Sequence, residues 1–256
     1  GRRATETSPH GVYWVRAVEG ARSPGAGRVL VENGLNPRAR GQVARTEAVL
    51  ETELLHPLLR GQGIRPFQAT PEACWLIFPH AEGAKAMPPE AVPPLTLQYL
   101  ERYRSALEAR GSYKEYRSGE PFYGLWRVGP YTFSPYKVVW PEMGELRAAV
   151  ISRTNTPWGE RMLVPEGKVN LIGLEREAEA HYLCALLNAP WIRRAYARMS
   201  SQIGRPSRLP FRLPPFDEGS FTHRALAAVS RAAHGQPETA DRFDRLLNWL
   251  LERAMR

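Results

Sequence analysis

The residues of this sequence best suited to bind another molecule are arginines that lack neighbouring carboxylates. Segment 190–199, PWIRRAYARM, starts with a proline suited to a first turn, and we predict that it forms a helix. At helical spacing, one side of this helix is basic and the other is apolar. The basic side contains Arg193, Arg194 and Arg198, and the apolar side contains Trp191, Ile192, Ala195, Tyr196 and Met199.

The basic helix is followed by residues 200–216, which contain arginines and prolines but no carboxylate. We predict an irregular segment here. Ser201, Gln202, Arg205, Ser207 and Arg208 have the side-chain types that contact phosphates and base edges. The alternative is a solvated helix face followed by a flexible linker. We favour contact with DNA, because a run of arginines without acids would otherwise repel itself.

A second polar segment, RTNTPWGER at 153–161, contains Arg153, Asn155 and Arg161. Arginine and asparagine side chains read guanine and adenine edges in a DNA groove. The segment is interpreted equally well as an ordinary hairpin tip.

One pattern resembles the acid…E-x-K arrangement of metal-dependent nucleases. It consists of Glu142 followed by Glu166 and Lys168. In such sites two carboxylates hold Mg²⁺ and the lysine assists the attacking water. An E-x-K triplet is common by chance, and here a glutamate replaces the usual aspartate. We favour a solvated turn that leads into a strand, and we keep the nuclease as an alternative.

The sequence offers little for other metal sites, disulfides or membrane spans. Its two cysteines, Cys74 and Cys184, argue against a disulfide framework or a zinc site and fit a reducing cytoplasm. The histidines show no metal-ligand spacing. No apolar run approaches the roughly 20 residues needed to span a bilayer. We therefore expect a cytoplasmic protein with neither a metal site nor a membrane partner.

The overall charge favours a polyanionic partner. The 256 residues carry a formal net charge of +9. Nucleic acid is the leading candidate, ahead of a membrane surface or an acidic protein. The first residue is Gly1 rather than Met, and we expect the chain to be a piece of a longer protein.

The pattern of apolar residues predicts an α/β (α+β) fold. Strands are predicted at 11–18, 28–33, 74–80, 146–152 and 168–174. Helices are predicted at 95–110, 175–188, 190–199, 221–233 and 238–255, with a short helix in 47–57 that ends at Pro57. Gly111 is expected to end the helix at 95–110. We expect a mixed β-sheet with packed helices and a C-terminal helical segment.

Six blocks of the sequence, in this order, resemble one family. They are LLHPLLRGQGIRPF, WLIFPH, YLERYRSALEARGSY, GEPFYGLWRVGPYTFSPYKVVWPEMG, EAHYLCALLNAPWIRRAY and LPPFDEGSFTHRALAAVSRAAH. The family is the C-terminal target-recognition domain, or Taq-type specificity domain, of adenine-N6 DNA methyltransferases of restriction–modification systems, including fused type IIG enzymes. The similarity spans residues 10–235, and PYKVVW and HYLCALLN are its most distinctive parts.

The resemblance implies a recognition domain that grips DNA opposite a separate catalytic domain. That domain would bind S-adenosylmethionine and flip the target adenine into an Asn/Asp-Pro-Pro-Tyr pocket. The nearest string here is LPPF at 213–216, and a leucine cannot accept hydrogen bonds from the adenine amino group. We therefore expect this chain to bind no cofactor and to transfer no methyl group alone. Its expected partners are double-stranded DNA and an upstream methyltransferase domain.

The resemblance also gives Lys137 an expected place. PYKVVW would be a core strand, with Lys137 emerging at its DNA-facing end to meet a phosphate; the alternative is that Lys137 snorkels to solvent. Loops 153–161 and 200–208 would read major-groove edges. The predicted DNA-binding residues are Lys137, Arg153, Asn155, Arg161, Arg193, Arg194, Arg198, Ser201, Gln202, Arg205, Ser207 and Arg208.

The predicted division of the chain is a DNA target-recognition domain at 1–216 and C-terminal helices at 217–256. These helices would pack on that domain or on the missing catalytic domain. A third interpretation of the chain is a protein-interaction module, in which an apolar stripe of the last helix docks a partner. That stripe consists of Phe243, Leu246, Leu247 and Leu250.

Overall fold

The computed structural model of the chain contains several helices and mixed sheets, which confirms the predicted α+β class. It describes residues 1–20, 25–34, 43–83, 85–116, 119–203, 213–235, 245–246 and 249, with the backbone alone for 112, 115–116 and 199–203. In chain order the strands are β1 (Arg2–Arg3), β2 (Trp14–Ala17), β3 (Arg28–Glu32), β4 (Glu47–Glu51), β5 (Leu55–Leu59), β6 (Ile64–Arg65), β7 (Gln68–Ala69), β8 (Trp75–Ile77), β9 (Tyr136–Pro141), β10 (Ala149–Ile151), β11 (Arg153–Thr156), β12 (Gly159–Met162), β13 (Val164–Pro165) and β14 (Val169–Leu174). The helices are α1 (His10–Tyr13), α2 (Pro94–Arg102), α3 (Arg104–Glu108), α4 (Gly111–Tyr116), α5 (Pro130–Phe133), α6 (Glu177–Asn188), α7 (Pro190–Ile203) and α8 (Phe221–Gly235).

Six strands form the first sheet, in the spatial order β13-β5-β8-β2-β3-β4. Neighbouring strands are antiparallel except for β13 and β5, which run parallel. Three of the predicted strands lie in this sheet, although the first of them starts as the short helix α1. The largest core of the protein packs on this sheet, and Tyr99 and Leu100 of α2 are buried in it.

The prediction of a short helix within 47–57 is wrong. The segment forms β4 and β5, and Pro57 lies inside β5 opposite Trp75. In β4, Ala48 and Leu50 are buried and alternate with more exposed residues. This period of two fits a strand with one covered face, and it prevails over the helix propensity of Glu, Ala and Leu.

The predicted helix at 95–110 is divided in two. Between α2 and α3, Tyr103 leaves helical geometry with φ −109° and ψ 13°. Its hydroxyl accepts a hydrogen bond of 2.8 Å from Asn33 Nδ2. Gly111 begins α4 instead of ending the preceding helix, so the predicted helix stop is wrong.

Four antiparallel strands form the second sheet, in the order β1-β14-β9-β10. One face carries Val138 and Trp140 and is covered by α6, α7 and α8. The other face carries Val139 and packs against Leu59 of the first sheet. Strand β9 is therefore buried on both faces, which explains its nearly continuous apolar sequence.

Helix α8 belongs to the core of the second sheet. Leu226, Ala227 and Ala233 are buried there, against α6. The backbone N–H of Val150, on the edge strand β10, donates to His234 Nε2 at 2.8 Å. Of the two alternatives for the C-terminal helices, packing on the preceding residues therefore holds for α8.

The predicted helix at 238–255 lies mostly outside the described residues. Of its apolar stripe, Phe243, Leu247 and Leu250 fall outside them, and Leu246 is exposed. In the part of the chain that the structure describes, no helix combines the length and the apolar character needed to cross a membrane.

Candidate nucleic-acid interface

The apolar side of helix α7 packs in the core of the second sheet. Ile192 and Tyr196 are buried there. The helix continues past the predicted end at residue 199 to Ile203. Ser201 and Gln202 therefore lie on the helix and not in an irregular loop, which corrects the prediction. Three further predicted residues, Arg205, Ser207 and Arg208, lie outside the described residues.

The opposite side of α7 is basic and exposed. Arg194 and Arg198 are exposed, and Arg193 is half-buried at the border between the two sides. Trp191 is 42% exposed, so its predicted place on the apolar side is wrong. Because positions 191, 194 and 198 are spaced by three and four, their side chains line one side of the helix. We call Trp191, Arg194 and Arg198 the α7 stripe.

A pocket of about 250 Å³ lies beside this stripe, between α7 and the segment that joins β9 to β10. It is lined by Glu145, Leu146, Pro190, Arg193, Arg194 and Ala197. We call it the α7 pocket. It combines charged side chains from two elements with apolar ones.

Strands β11 and β12 form a two-stranded ribbon of their own. Asn155 lies opposite Glu160, and Thr154 lies opposite Arg161. Because side chains alternate between the faces of a strand, Arg153, Asn155 and Glu160 share one face, while Thr154 and Arg161 share the other. The predicted set of Arg153, Asn155 and Arg161 is therefore divided between two faces.

The arginines of the ribbon interact mainly with the ribbon itself. Arg153 Nε lies 3.6 Å from the Glu160 carboxylate, and Arg153 Nη2 donates to the Glu160 carbonyl at 3.2 Å. Arg161 is half-buried and donates to the same carbonyl at 3.0 Å. At the tip, the ring centroid of Trp158 lies 4.3 Å from that of Trp75 in β8. This contact packs the ribbon against the first sheet.

Lys137 is buried between the two sheets. It is 1% exposed, and its Nζ donates to the Ser134 carbonyl at 2.8 Å. Burial, followed by the nearby charge of Arg153, lowers the pKa of the Lys137 ammonium from 10.5 to about 8. Lys137 neither emerges at the surface nor snorkels to solvent, so both expectations for its position are wrong.

The residues of the nuclease alternative have separate partners. Glu142 forms an ion pair with Arg3. Glu166 is 5% exposed, burial raises the pKa of its carboxyl group, and Arg60 lies nearby. Within the described residues, no group of three or more His, Cys, Asp or Glu side chains could hold a metal ion. The geometry therefore gives this alternative no support.

Sequence reasoning missed two acids that matter for this surface, Glu145 and Glu160. Glu145 lies in the segment after β9, far from α7 in sequence, and only the fold brings it to the α7 pocket. Glu160 could have been found, because a hairpin at 153–161 with its turn at Pro157 and Trp158 places residues 155 and 160 opposite each other.

The sequence matches no family model, and no curated protein is significantly similar to it. The resemblance to target-recognition domains of adenine-N6 DNA methyltransferases therefore rests on the six sequence blocks quoted above.

Proposed function

We propose that this chain is the DNA-recognition module of a site-specific adenine-N6 DNA methyltransferase of a restriction–modification system. A separate catalytic domain binds S-adenosylmethionine and transfers the methyl group, while this chain holds the duplex. The observation that carries the proposal is the α7 stripe, in which a tryptophan and two arginines are exposed on a helix that contains no carboxylate.

The α7 stripe has chemistry suited to a nucleic acid. The guanidinium groups of Arg194 and Arg198 donate to phosphate oxygens, and binding releases the counterions that the phosphates hold. Trp191 offers an aromatic face on which a base can stack. The formal net charge of +9 adds a general attraction to DNA.

The β11–β12 ribbon is a second candidate contact. A two-stranded ribbon fits the major groove, and an asparagine reads the N6 and N7 atoms of adenine there. Asn155 lies on the exposed face of the ribbon. In this proposal the α7 stripe holds the DNA backbone and the ribbon contributes to the choice of sequence.

DNA binding is tested by fluorescence anisotropy of a fluorescein-labelled duplex titrated with the purified chain at several salt concentrations. We expect log K to fall linearly with log salt concentration, with a slope of about −2 or steeper, since each phosphate contact contributes about −0.9. A chain that leaves the duplex unbound even in dilute buffer would overturn the proposal.

The division of labour is tested with radiolabelled S-adenosylmethionine. We expect no label in duplex DNA incubated with this chain, because LPPF at 213–216 lacks the side chain that accepts from the adenine amino group. Label incorporated into adenine by the chain alone would contradict the assignment of catalysis to another domain.

A further inference from the structure

The α7 pocket contains one acid, Glu145, and two bases, Arg193 and Arg194; Glu145 and Arg194 are not bonded to each other. Glu145 reaches it from the segment after β9, and Arg194 reaches it from α7. Among the residues that the structure describes, neither side chain forms a hydrogen bond or an ion pair with the other or with a third residue. For a ligand bound between them, the carboxylate provides two acceptor oxygens and the guanidinium provides two parallel N–H donors.

The rest of the lining combines apolar residues with Arg193. Leu146, Pro190 and Ala197 contribute apolar walls, and the pocket volume is about 250 Å³. Ligand pockets typically combine apolar walls with a few polar groups that fix orientation. Nucleobases match this pattern, because they have apolar faces and a polar edge.

Among the nucleobases, guanine satisfies both charged groups best. Its N1–H and N2 amino group both donate toward one carboxylate, and its O6 and N7 both accept from one guanidinium. Adenine, cytosine and thymine each lack at least one of these two double contacts. We propose that the α7 pocket binds a guanine base, with Glu145 accepting from N1 and N2 and Arg194 donating to O6 and N7 in place of the phosphate contact that it makes to duplex DNA.

The base has two possible sources, which share this chemistry. One is a free guanine nucleotide. The other is an unpaired guanine in DNA, since pairing with cytosine occupies N1 and N2 in an intact duplex. The second source rests on the proposed function, and the first does not.

The test is isothermal titration calorimetry of the chain with GMP, IMP, AMP and CMP. We expect GMP to bind at least about tenfold more tightly than AMP and CMP, since each of these loses at least one bidentate contact. IMP lacks the N2 amino group that donates to Glu145, so we expect it to bind more weakly than GMP, by about fivefold or more. Equal affinity for the four nucleotides would overturn the proposal.

The variant Glu145→Gln keeps the size of the side chain and removes its charge. We expect it to weaken GMP binding about tenfold and to reduce the difference between GMP and IMP, because one amide oxygen replaces the two carboxylate acceptors. Glu53→Gln, at an exposed acid of the turn between β4 and β5, is the matched control and should leave GMP binding unchanged. A Glu145→Gln variant that binds GMP as tightly as the wild type would contradict the assigned contact.

A second arm identifies the source. A single-stranded oligonucleotide with one guanine is compared with one that has inosine at that position, by anisotropy. Preference for guanine in the strand assigns the site to DNA, and preference confined to GMP assigns it to a free nucleotide. If duplex DNA binds but guanine is not preferred in either arm, the pocket assignment fails alone. If GMP is preferred but duplex DNA does not bind, the proposed function fails alone.

Discussion

Helix α7 and the β11–β12 ribbon resemble each other in sequence, since both combine arginines with polar residues and a tryptophan. In the structure they differ in whether the segment itself places an acid beside its arginines. Helix α7 contains no carboxylate and Arg194 is exposed on it, whereas Arg153 of the ribbon interacts with Glu160 of the opposite strand. The number of arginines in a segment is therefore a poor guide to how those arginines can contact a partner.

The difference follows from backbone geometry. Along a helix, residues three and four apart share a side, and α7 has arginines at two such positions. In a ribbon, each residue also meets those of the opposite strand, which brings Glu160 to Arg153. Lys137, beside the ribbon, is withdrawn from solvent altogether. Four variants test this comparison, and they follow in order of expected effect.

The largest expected effect is on stability and comes from Lys137→Met. A buried ammonium costs free energy that a methionine of similar length avoids, so we expect the variant to be more stable at neutral pH. The pKa of Lys137 is about 8 in the folded protein, and its ordinary value is 10.5. Between pH 8 and pH 10.5, Lys137 is therefore protonated in the unfolded chain and deprotonated in the folded protein. Wild-type stability should therefore rise over this range, and the advantage of the variant should shrink by on the order of 3 kcal/mol.

Urea unfolding of both proteins from pH 7 to pH 11 measures this difference. Lys114→Met, at an exposed lysine of α4, is the control for the loss of a lysine. A constant difference between the wild type and Lys137→Met across the pH range would contradict the lowered pKa. DNA affinity should be the same in the wild type and in Lys137→Met, because Lys137 is buried.

The next effect is on DNA affinity. We expect the double variant Arg194→Ala and Arg198→Ala to weaken duplex binding by about tenfold or more at moderate salt and to reduce the salt slope by about 2. The control, Arg28→Ala with Arg102→Ala, removes the same charge from exposed positions of β3 and α2. Equal losses in the two double variants would mean that net charge, and not the α7 stripe, holds the DNA.

A smaller loss is expected from Trp191→Ala. If the indole stacks on a base, its removal should cost about 1 kcal/mol, or about fivefold in affinity, without changing the salt slope. Trp191→Phe should retain most of the affinity. Phe221→Ala, at an aromatic residue of α8 that is 75% exposed, is the control. A changed salt slope in Trp191→Ala would show that the variant disturbs the neighbouring arginines.

The smallest effect is expected from Glu160→Gln, and it is a gain. Loss of the carboxylate releases Arg153 toward a phosphate, and we expect affinity to rise about twofold to threefold. Glu108→Gln removes the same charge from an ion pair of 3.1 Å with Arg104 and serves as the control. Weaker binding by Glu160→Gln would instead indicate that Glu160 itself contacts the DNA.

Much of the fold could be predicted from local pattern. Strands at 28–33 and 168–174 and helices at 175–188 and 221–233 are confirmed, because their apolar periodicity is strong and the flanking residues favour a stop. The error at 47–57 arose where helix propensity and strand periodicity conflict. Tyr103, at the break of the predicted helix, accepts a hydrogen bond from Asn33, which lies 70 positions earlier, so its surroundings cannot be seen in the local sequence.

The site was less predictable, since exposure depends on which elements lie around each residue. Trp191 is apolar, yet it is 42% exposed on α7. Lys137 shows the reverse: its side chain is charged, yet it is buried, because strand β9 lies between the two sheets. The hairpin could be predicted, but the division of its arginines between two faces required the register of the strands.

The contact between His234 and Val150 has a consequence for attempts to shorten the chain. Strand β10 is the edge of the second sheet. His234 of α8 accepts a hydrogen bond from the backbone N–H of Val150 on this edge. Helix α8 also covers apolar side chains of α6. A chain cut after residue 216 would expose both the bare strand edge and that apolar surface. Bare strand edges pair with copies of themselves, so such a truncated protein would be expected to aggregate.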